Sequence, residues 1–316
     1  MKEKNFISAV LYIHNDEKYI ERFLNFIVKI LREHFENYEI ICVNDYSEDL
    51  SEAVIKKTYL KLGMSDNEQL SIINLSCFHG VEKAMNAGID LAIGDYCFEF
   101  DSVWIDYKES QVMDIYWKAL EGYDYVGAVP DKRNKASELY YHLFDLFSDQ
   151  PYHMMSERFR ITSRRMLNKV SIMNKSVPYR KAVYSTSGLS SNSIEYHHTK
   201  NHQKSDKEER LLRKELGIDV LFLFTSAGYK FSTVLTMLMG FTSLFMLFYA
   251  VFIYLTSRPV EGWTPTILFI SFVSFGIFAS MTIIIKYLQL LVNLVFRQNE
   301  YSVLGIEKLS RDGQKE

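Results

Sequence analysis

Two long uncharged runs near the carboxyl terminus constrain this chain more than any other feature. From Phe231 to Ser257, and again from Gly262 to Ile285, there is no Asp, Glu, Lys or Arg. About 20 consecutive apolar residues suffice for a helix to cross the hydrocarbon core of a bilayer, so each run is long enough to span one. Their short connection makes them a hairpin. Buried instead as soluble core helices, two adjacent runs of this length would need a larger protein around them. The bulk averages conceal this pattern. The 316 residues are 24% charged with a net charge of −3, values that suggest a soluble enzyme but that average a polar first part with a membrane hairpin. The near balance of charge excludes a nucleic-acid binder held by a broad basic face. Only 5 Pro and 14 Gly exclude a disordered or collagen-like chain.

The flanks of the hairpin set its expected orientation. His197, His198, Lys200, His202, Lys204, Lys207, Arg210, Arg213 and Lys214 crowd before the first run. Their spacing fits no ordinary metal site, whereas a juxtamembrane basic segment is attracted to anionic headgroups. Leu211, Leu212, Leu216 and Ile218 add an interfacial helix. Arg297, Lys308 and Arg311 follow the second run, while the connecting turn carries Arg258 offset by Glu261. Positive charge stays on the cytoplasmic side, so both flanking segments, and both termini, are expected there, with the protein in the inner or plasma membrane. The opening residues lack the apolar core and cleavage site of a signal peptide. Cys42, Cys77 and Cys97 show neither a disulfide framework nor a zinc spacing and read as packing residues. The expected division is a cytoplasmic domain over 1–195, a basic interfacial segment over 196–230, a two-helix hairpin over 231–296 and a tail over 297–316. Gly240 and Gly276 are points where membrane helices of two copies of the chain could pack closely.

Within the first part, apolar β-branched runs at Ile7–Ile13, Glu39–Asn44, Leu70–Leu75, Tyr96–Phe100 and Tyr123–Val129 read as strands. Ile20, Phe23, Leu24, Ile27, Ile30 and Leu31 share one helical face, and Gly80–Ile93 and Glu109–Glu121 have helical length and composition. Strand and helix in alternation imply an α/β fold with a mainly parallel sheet covered on both faces. Ligands of such sheets bind beyond the carboxyl ends of the strands. There the second strand is followed by Asn44-Asp45-Tyr46-Ser47 and the fourth by Asp101-Ser102-Val103-Trp104-Ile105-Asp106. Asp45 and Asp101 are either turn formers and helix caps or ligands for a polar group. No GxGxxG or GxxxxGK[ST] follows any strand, so the glycine cradles of dinucleotide and P-loop sites are missing. That leaves nucleotide sites built on carboxylates and a divalent metal.

These residues resemble the membrane-anchored family-2 glycosyltransferases that load a sugar onto a polyprenyl phosphate, the group of dolichyl-phosphate mannose synthase and the bactoprenol glucosyltransferases. Asn15-Asp16-Glu17 resembles the end of that family's P-x-YNEE segment, and Val43-Asn44-Asp45-Tyr46-Ser47 its VDDGS turn. Gly80, Ala84, Ala87-Gly88, Gly94-Asp95 and Asp101 follow its third element. Trp117 with Glu121-Gly122-Tyr123-Asp124 matches W-x-x-x-EGYD, Phe159-Arg160 with Ser163-Arg164-Arg165 resembles FRLLSRR, and Asn299–Val303 resembles its ending. The resemblance implies a GT-A, Rossmann-like fold followed by a juxtamembrane helix and two membrane helices. It implies a nucleotide-sugar donor, a polyprenyl phosphate acceptor and Mg2+ or Mn2+. Carried over, Asn15, Glu17, Asp45 and Asp101 would bind the donor, Asp101 with Asp106 would hold the metal, Arg160, Arg164 and Arg165 would meet phosphate, and Asp101, Glu157 and Arg160 would carry catalysis.

The departures are equally specific. The family's D-x-D is Asp101-Ser102-Val103, which replaces the second carboxylate by an apolar side chain. Asn44 stands for the first Asp of the VDD turn. Glu157-Arg158 stands where the family has Gly-Asp, and Glu157 could reach the same space. A catalytically impaired scaffold that binds nucleotide or a partner transferase is therefore an alternative reading. Transfer to another lipid-linked or surface polysaccharide acceptor is a further one.

Overall fold

The expected alternation is realised in a computed structural model as an eight-stranded mixed sheet, ordered β7-β5-β6-β4-β1-β2-β3-β8. The structure describes residues 2–65, 67–131, 157–173, 180–198, 263–296 and 301–309, with scattered helical positions between 231 and 252. The basic segment from 199 onward and the connection between the two uncharged runs lie outside the described residues. The strands are β1 (Ile7–Ile13), β2 (Tyr38–Asn44), β3 (Glu68–Leu75), β4 (Tyr96–Phe100), β5 (Tyr125–Pro130), β6 (Phe159–Ser163), β7 (Ser191–Tyr196) and β8 (Val303–Leu309). The helices are α1 (Glu17–His34), α2 (Ser51–Leu62), α3 (Val81–Leu91), α4 (Glu109–Leu120), α5 (Arg164–Met173), α6 (Arg180–Thr186) and α7 (Trp263–Phe296).

β3, β2, β1 and β4 run parallel. β6 inserts antiparallel between β4 and β5, and β7 pairs parallel with β5. The first four strands were legible as apolar runs. The fifth begins at Tyr125 rather than Tyr123, because Gly122 turns with φ of +106° and the Asp124 carboxylate is taken up by Ser163, Arg165 and Ser190. β6 is short, carries Arg160 as its second residue and gave no apolar signal. The segment after the second uncharged run, expected as a tail, supplies β8, which pairs antiparallel with β3 and closes that edge of the sheet.

Side chains of β1 alternate between two cores, as the two-residue period of a strand requires. Ile7, Ala9, Leu11 and Ile13 face α1, α2 and α4. Val10 and Tyr12 face α3 and α5. The apolar face of α1 is Ile20, Phe23, Leu24, Ile27, Val28, Ile30 and Leu31, all buried. Its last turn is tied to the sheet by Arg32, whose Nε and Nη2 each donate to Glu68 at 2.7 Å. α3 lies so close to the sheet that a Cβ at Gly88 would collide with Val10 and Val43. Cys42 and Cys97 are buried in the cores, and burial pushes the Cys42 thiol up to about 12. Cys77 is exposed, which corrects the expectation that all three cysteines are packing residues.

The described residues fall into two compact units, the second formed within residues 218–297. Its backbone helix α7 has 34 residues. Among the described residues no helix is long and apolar enough to cross a membrane. Gly276 abuts the Met239 side chain within the same chain, whereas Gly240 has nothing near it.

Gly88→Ala should destabilise the first unit by about 1–3 kcal/mol through overpacking, read as a lowered midpoint of thermal unfolding. A second expectation concerns acid. Burial opposes the charge on Glu68, but hydrogen bonds from Arg32 and the Ser65 N–H outweigh it and hold the carboxyl at about 2. The unfolded value is about 4.3. The folded value is the lower one, so this contribution is complete above pH 4.3 and is lost as pH falls toward 2. Glu68→Gln should lower stability at neutral pH and flatten the acid dependence in that window.

Candidate active site

Parallel strands on both sides of β1 send their connecting helices to opposite faces, which opens a crevice at the carboxyl ends of β1, β2 and β4. Two loops meet there. Asn15 Oδ1 accepts the Glu48 N–H at 2.8 Å, Ser47 Oγ accepts the Asn15 N–H at 3.1 Å, and Glu17 and Asp49 exchange contacts with Leu50 and Glu17 backbone N–H groups. Asn15 and Tyr46 both have φ of +53°. A left-handed backbone costs a non-glycine residue about 1–2 kcal/mol, and this interlock holds both residues in it. Asn15 and Glu17 therefore build the rim of the crevice and hold it in shape.

Asp45 is fully buried. Its Oδ1 accepts the His79 N–H at 2.9 Å, and its Oδ2 accepts the Gly80 N–H at 2.8 Å and the Tyr12 hydroxyl at 3.1 Å. The carboxylate latches the turn ahead of α3 to the end of β2. His79 also reaches the last strand of the sheet: its Nε2 accepts the Ser302 N–H at 3.1 Å.

The charged centre of the site lies at the end of β4. Arg180 Nη2 donates to Asp101 Oδ1 at 2.7 Å, and Arg160 Nη2 donates to Asp101 Oδ2. Behind Asp101, Arg180 also reaches Glu99 at 2.5 Å and Glu82 at 3.1 Å. Glu99 further accepts the Tyr184 hydroxyl at 2.7 Å and Thr162 Oγ1 at 3.2 Å. Glu157 accepts the Tyr125 hydroxyl and stands 3.8 Å from Arg160 Nε and 4.0 Å from Lys181 Nζ. Room for its carboxyl exists because residue 127 is Gly; a Cβ there would strike it. Burial opposes the charge on Asp101, but Arg160 and Arg180 outweigh it and hold the carboxyl well below the ordinary range.

The expected catalytic trio of Asp101, Glu157 and Arg160 is thus brought together. The phosphate group of arginines is not. β6 runs antiparallel to β4, so Arg160 pairs beside Glu99 while Ser163 pairs with Tyr96 at the far end. Arg164 there donates to the Ala92 and Gly94 carbonyls, and Arg165 pairs with Asp124. Both arginines sit about 15 Å from Asp101, one strand length away, at the edge opposite the crevice. Arg180, Lys181, Glu99 and Glu82 complete the site and escaped sequence reading. The available signal was Glu99, an acidic residue in the otherwise apolar β4, which implies a buried cation.

The expected metal pair fares differently. A divalent ion at Asp101 would have to compete with two buried cations, since each oxygen of Asp101 already accepts a guanidinium N–H group. Charge-assisted hydrogen bonds of this kind contribute about 1.5–3 kcal/mol each. Val103 is buried in the core among aromatic side chains. Asp106 is buried, bonded by the Tyr196 hydroxyl at 3.1 Å and faced by Arg158 at 3.5 Å, and burial raises its carboxyl above the ordinary value. Among the described residues no group of three or more His, Cys, Asp and Glu could hold a metal ion. The residues present do not fit a divalent metal.

Comparison with known proteins agrees with this architecture. The chain is 24% identical over 270 residues to the uncharacterized glycosyltransferase YkcC of Bacillus subtilis, covering 82% of this chain and 81% of that protein. It is 26% identical over 201 residues to the prophage bactoprenol glucosyl transferase homolog of Escherichia coli, covering 60% and 62%. Glucosyl-3-phosphoglycerate synthase from Mycobacterium tuberculosis, solved with Mn2+, UDP and phosphoglyceric acid, shares the fold. Its TM-score is 0.53 at 16% identity, over 69% of this chain and 78% of that one. Glycosyl transferase family 2 matches residues 8–187, more than half of the sequence, and the chain belongs to that family.

Proposed function

We propose that this transferase is membrane-anchored and moves a sugar from a nucleotide-sugar donor to a polyprenyl phosphate at the cytoplasmic face of the inner or plasma membrane. The observation that carries the reading is the apolar surface of the second unit. Phe241, Phe245, Phe275, Phe278, Ile284 and Leu288 are all more than half exposed. A contiguous surface of such side chains marks a membrane or partner contact, and the two uncharged runs behind it have the length of bilayer spans. The similarity to a bactoprenol glucosyl transferase homolog supports a lipid acceptor.

The chemistry suits the site. An oxygen of the lipid phosphate attacks the anomeric carbon, and the bond from that carbon to the donor diphosphate breaks, its electron pair leaving with the nucleoside diphosphate. A phosphate monoester has a second pKa near 6, so the nucleophile is already ionised at neutral pH and requires no general base. The charge to be stabilised is that of the leaving group, and Arg160, Arg180 and Lys181 gather where the crevice ends. Glu157 then serves as a positioning residue that orients Arg160 and Lys181. A nucleotide-binding scaffold without turnover is the second reading, favoured by Val103 in place of a carboxylate.

Membranes carrying the protein, incubated with labelled nucleotide sugars and undecaprenyl phosphate, should yield a lipid-soluble labelled product. Label found only in polymer would redirect the acceptor to a polysaccharide, and nucleotide binding without product from any donor would select the scaffold. Gly127→Ala, which displaces the Glu157 carboxyl, should lower kcat at least about tenfold, roughly 1.4 kcal/mol, with a smaller change in KM for the donor. Wild-type kcat in that variant would remove Glu157 from the mechanism.

A further inference from the structure

We infer that donor binding at this site is independent of a divalent metal, with the guanidinium groups of Arg160 and Arg180 occupying the places on Asp101 that a bridging metal ion would take. The inference rests on the glycosyltransferase reading above and specifies how its donor diphosphate is held.

Three observations converge on it. Both oxygens of Asp101 are hydrogen-bonded to guanidinium groups. These groups cannot be displaced cheaply, because Arg160 and Arg180 are themselves buried and Arg180 is bound to Glu82 and Glu99 as well. A metal binding Asp101 would leave a buried cation short of one partner. Second, the residue two positions on offers no ligand. Val103 is 2% exposed and packs in the core with Ile105 and Tyr107, so its side chain is turned away from any ion at Asp101. Third, the next carboxylate along, Asp106, already has a cation against it in Arg158.

The guanidinium pair is suited to what a metal would otherwise do. Arginine stays protonated at every physiological pH and presents its N–H groups in a fork that matches phosphate oxygens. Arg160 is fully buried, yet not all of its N–H groups are used. Among the described residues its Nε and Nη1 make no hydrogen bond, standing instead 3.8 Å from Glu157 and 3.6 Å from Glu99. A buried donor without a hydrogen bond is costly, and a bound diphosphate would remove that cost. A charge offset by side chains also needs no ion to arrive and leave with each nucleotide.

The test uses the full-length chain and the nucleoside diphosphates UDP, GDP, CDP and ADP as probes. Their affinities are measured by calorimetry in excess EDTA and again in millimolar MnCl2. The expected result is that the diphosphate that binds does so within about twofold under both conditions, and that MnCl2 alone gives no binding heat. Tightening by Mn2+ of about tenfold or more, abolished in Asp101→Asn, would overturn the inference and leave the proposed function standing. If no nucleoside diphosphate binds under either condition, the proposed function falls and the inference with it. Arg160→Gln adds an independent readout. It should weaken binding in EDTA by about tenfold or more, and Mn2+ should then restore part of the loss through the freed oxygen of Asp101. Undiminished binding by that variant in EDTA would equally refute the role given to Arg160. Should the variant fail to fold, the comparison of EDTA with MnCl2 on the unaltered chain decides alone.

Discussion

Arg180 is the buried cation on which the site depends. Its guanidinium meets Glu82 at the start of α3, Glu99 inside β4 and Asp101 at the end of β4. None of these carboxylates would be stable buried and alone, and breaking one partner out of such a cluster costs about 3–5 kcal/mol. The cluster therefore links helix, strand and loop into one arrangement. It also sets the direction of the local electrostatics, because Asp101 is held ionised and fully engaged rather than open to an ion from solvent.

The antiparallel entry of β6 is the second determinant. A parallel strand in that place would carry Arg164 and Arg165 toward the crevice and Arg160 away from it. Running the other way, β6 delivers Arg160 to Asp101 and spends the next two arginines on the opposite edge, where Arg164 ties down the carbonyls ahead of β4 and Arg165 pairs with Asp124. One short basic stretch is thus divided between chemistry and architecture by strand direction alone. The two other edges of interest follow similar logic. Asp45 latches the turn ahead of α3, and the residues after α7 return as β8 to close the sheet beyond β3, with Tyr301 donating to Asp90 at 2.6 Å and Ser302 meeting His79.

How much of this was legible can be judged residue by residue. The first four strands and their helices followed from apolar periodicity, since side chains buried on both faces of a sheet leave a run of Val, Ile and Leu that nothing else in the chain imitates. Asp101 was identifiable because the carboxyl end of a parallel strand is where ligands gather. Arg180 and Glu99 were not, because a buried ion pair is a relation between residues that are 81 positions apart, and no local pattern records it. β6 was missed for the same reason: a five-residue strand with a buried charged residue is stable only when partners elsewhere supply the opposite charge.

What the sequence determined by itself was therefore the class of the fold, the two uncharged runs and the family to which the motifs belong, all of which depend on local composition and spacing. Which carboxylates are free and which are already paired was decided only by tertiary structure. Asp45, Asp101 and Asp106 look alike in the sequence, each an acid in a polar loop near a strand end. In the folded chain one latches the turn ahead of α3, one is gripped by two arginines and one is buried against a tyrosine and a cation. What a carboxylate can still bind is set by the donors and cations that the fold brings against it, and that is a property of three-dimensional neighbours.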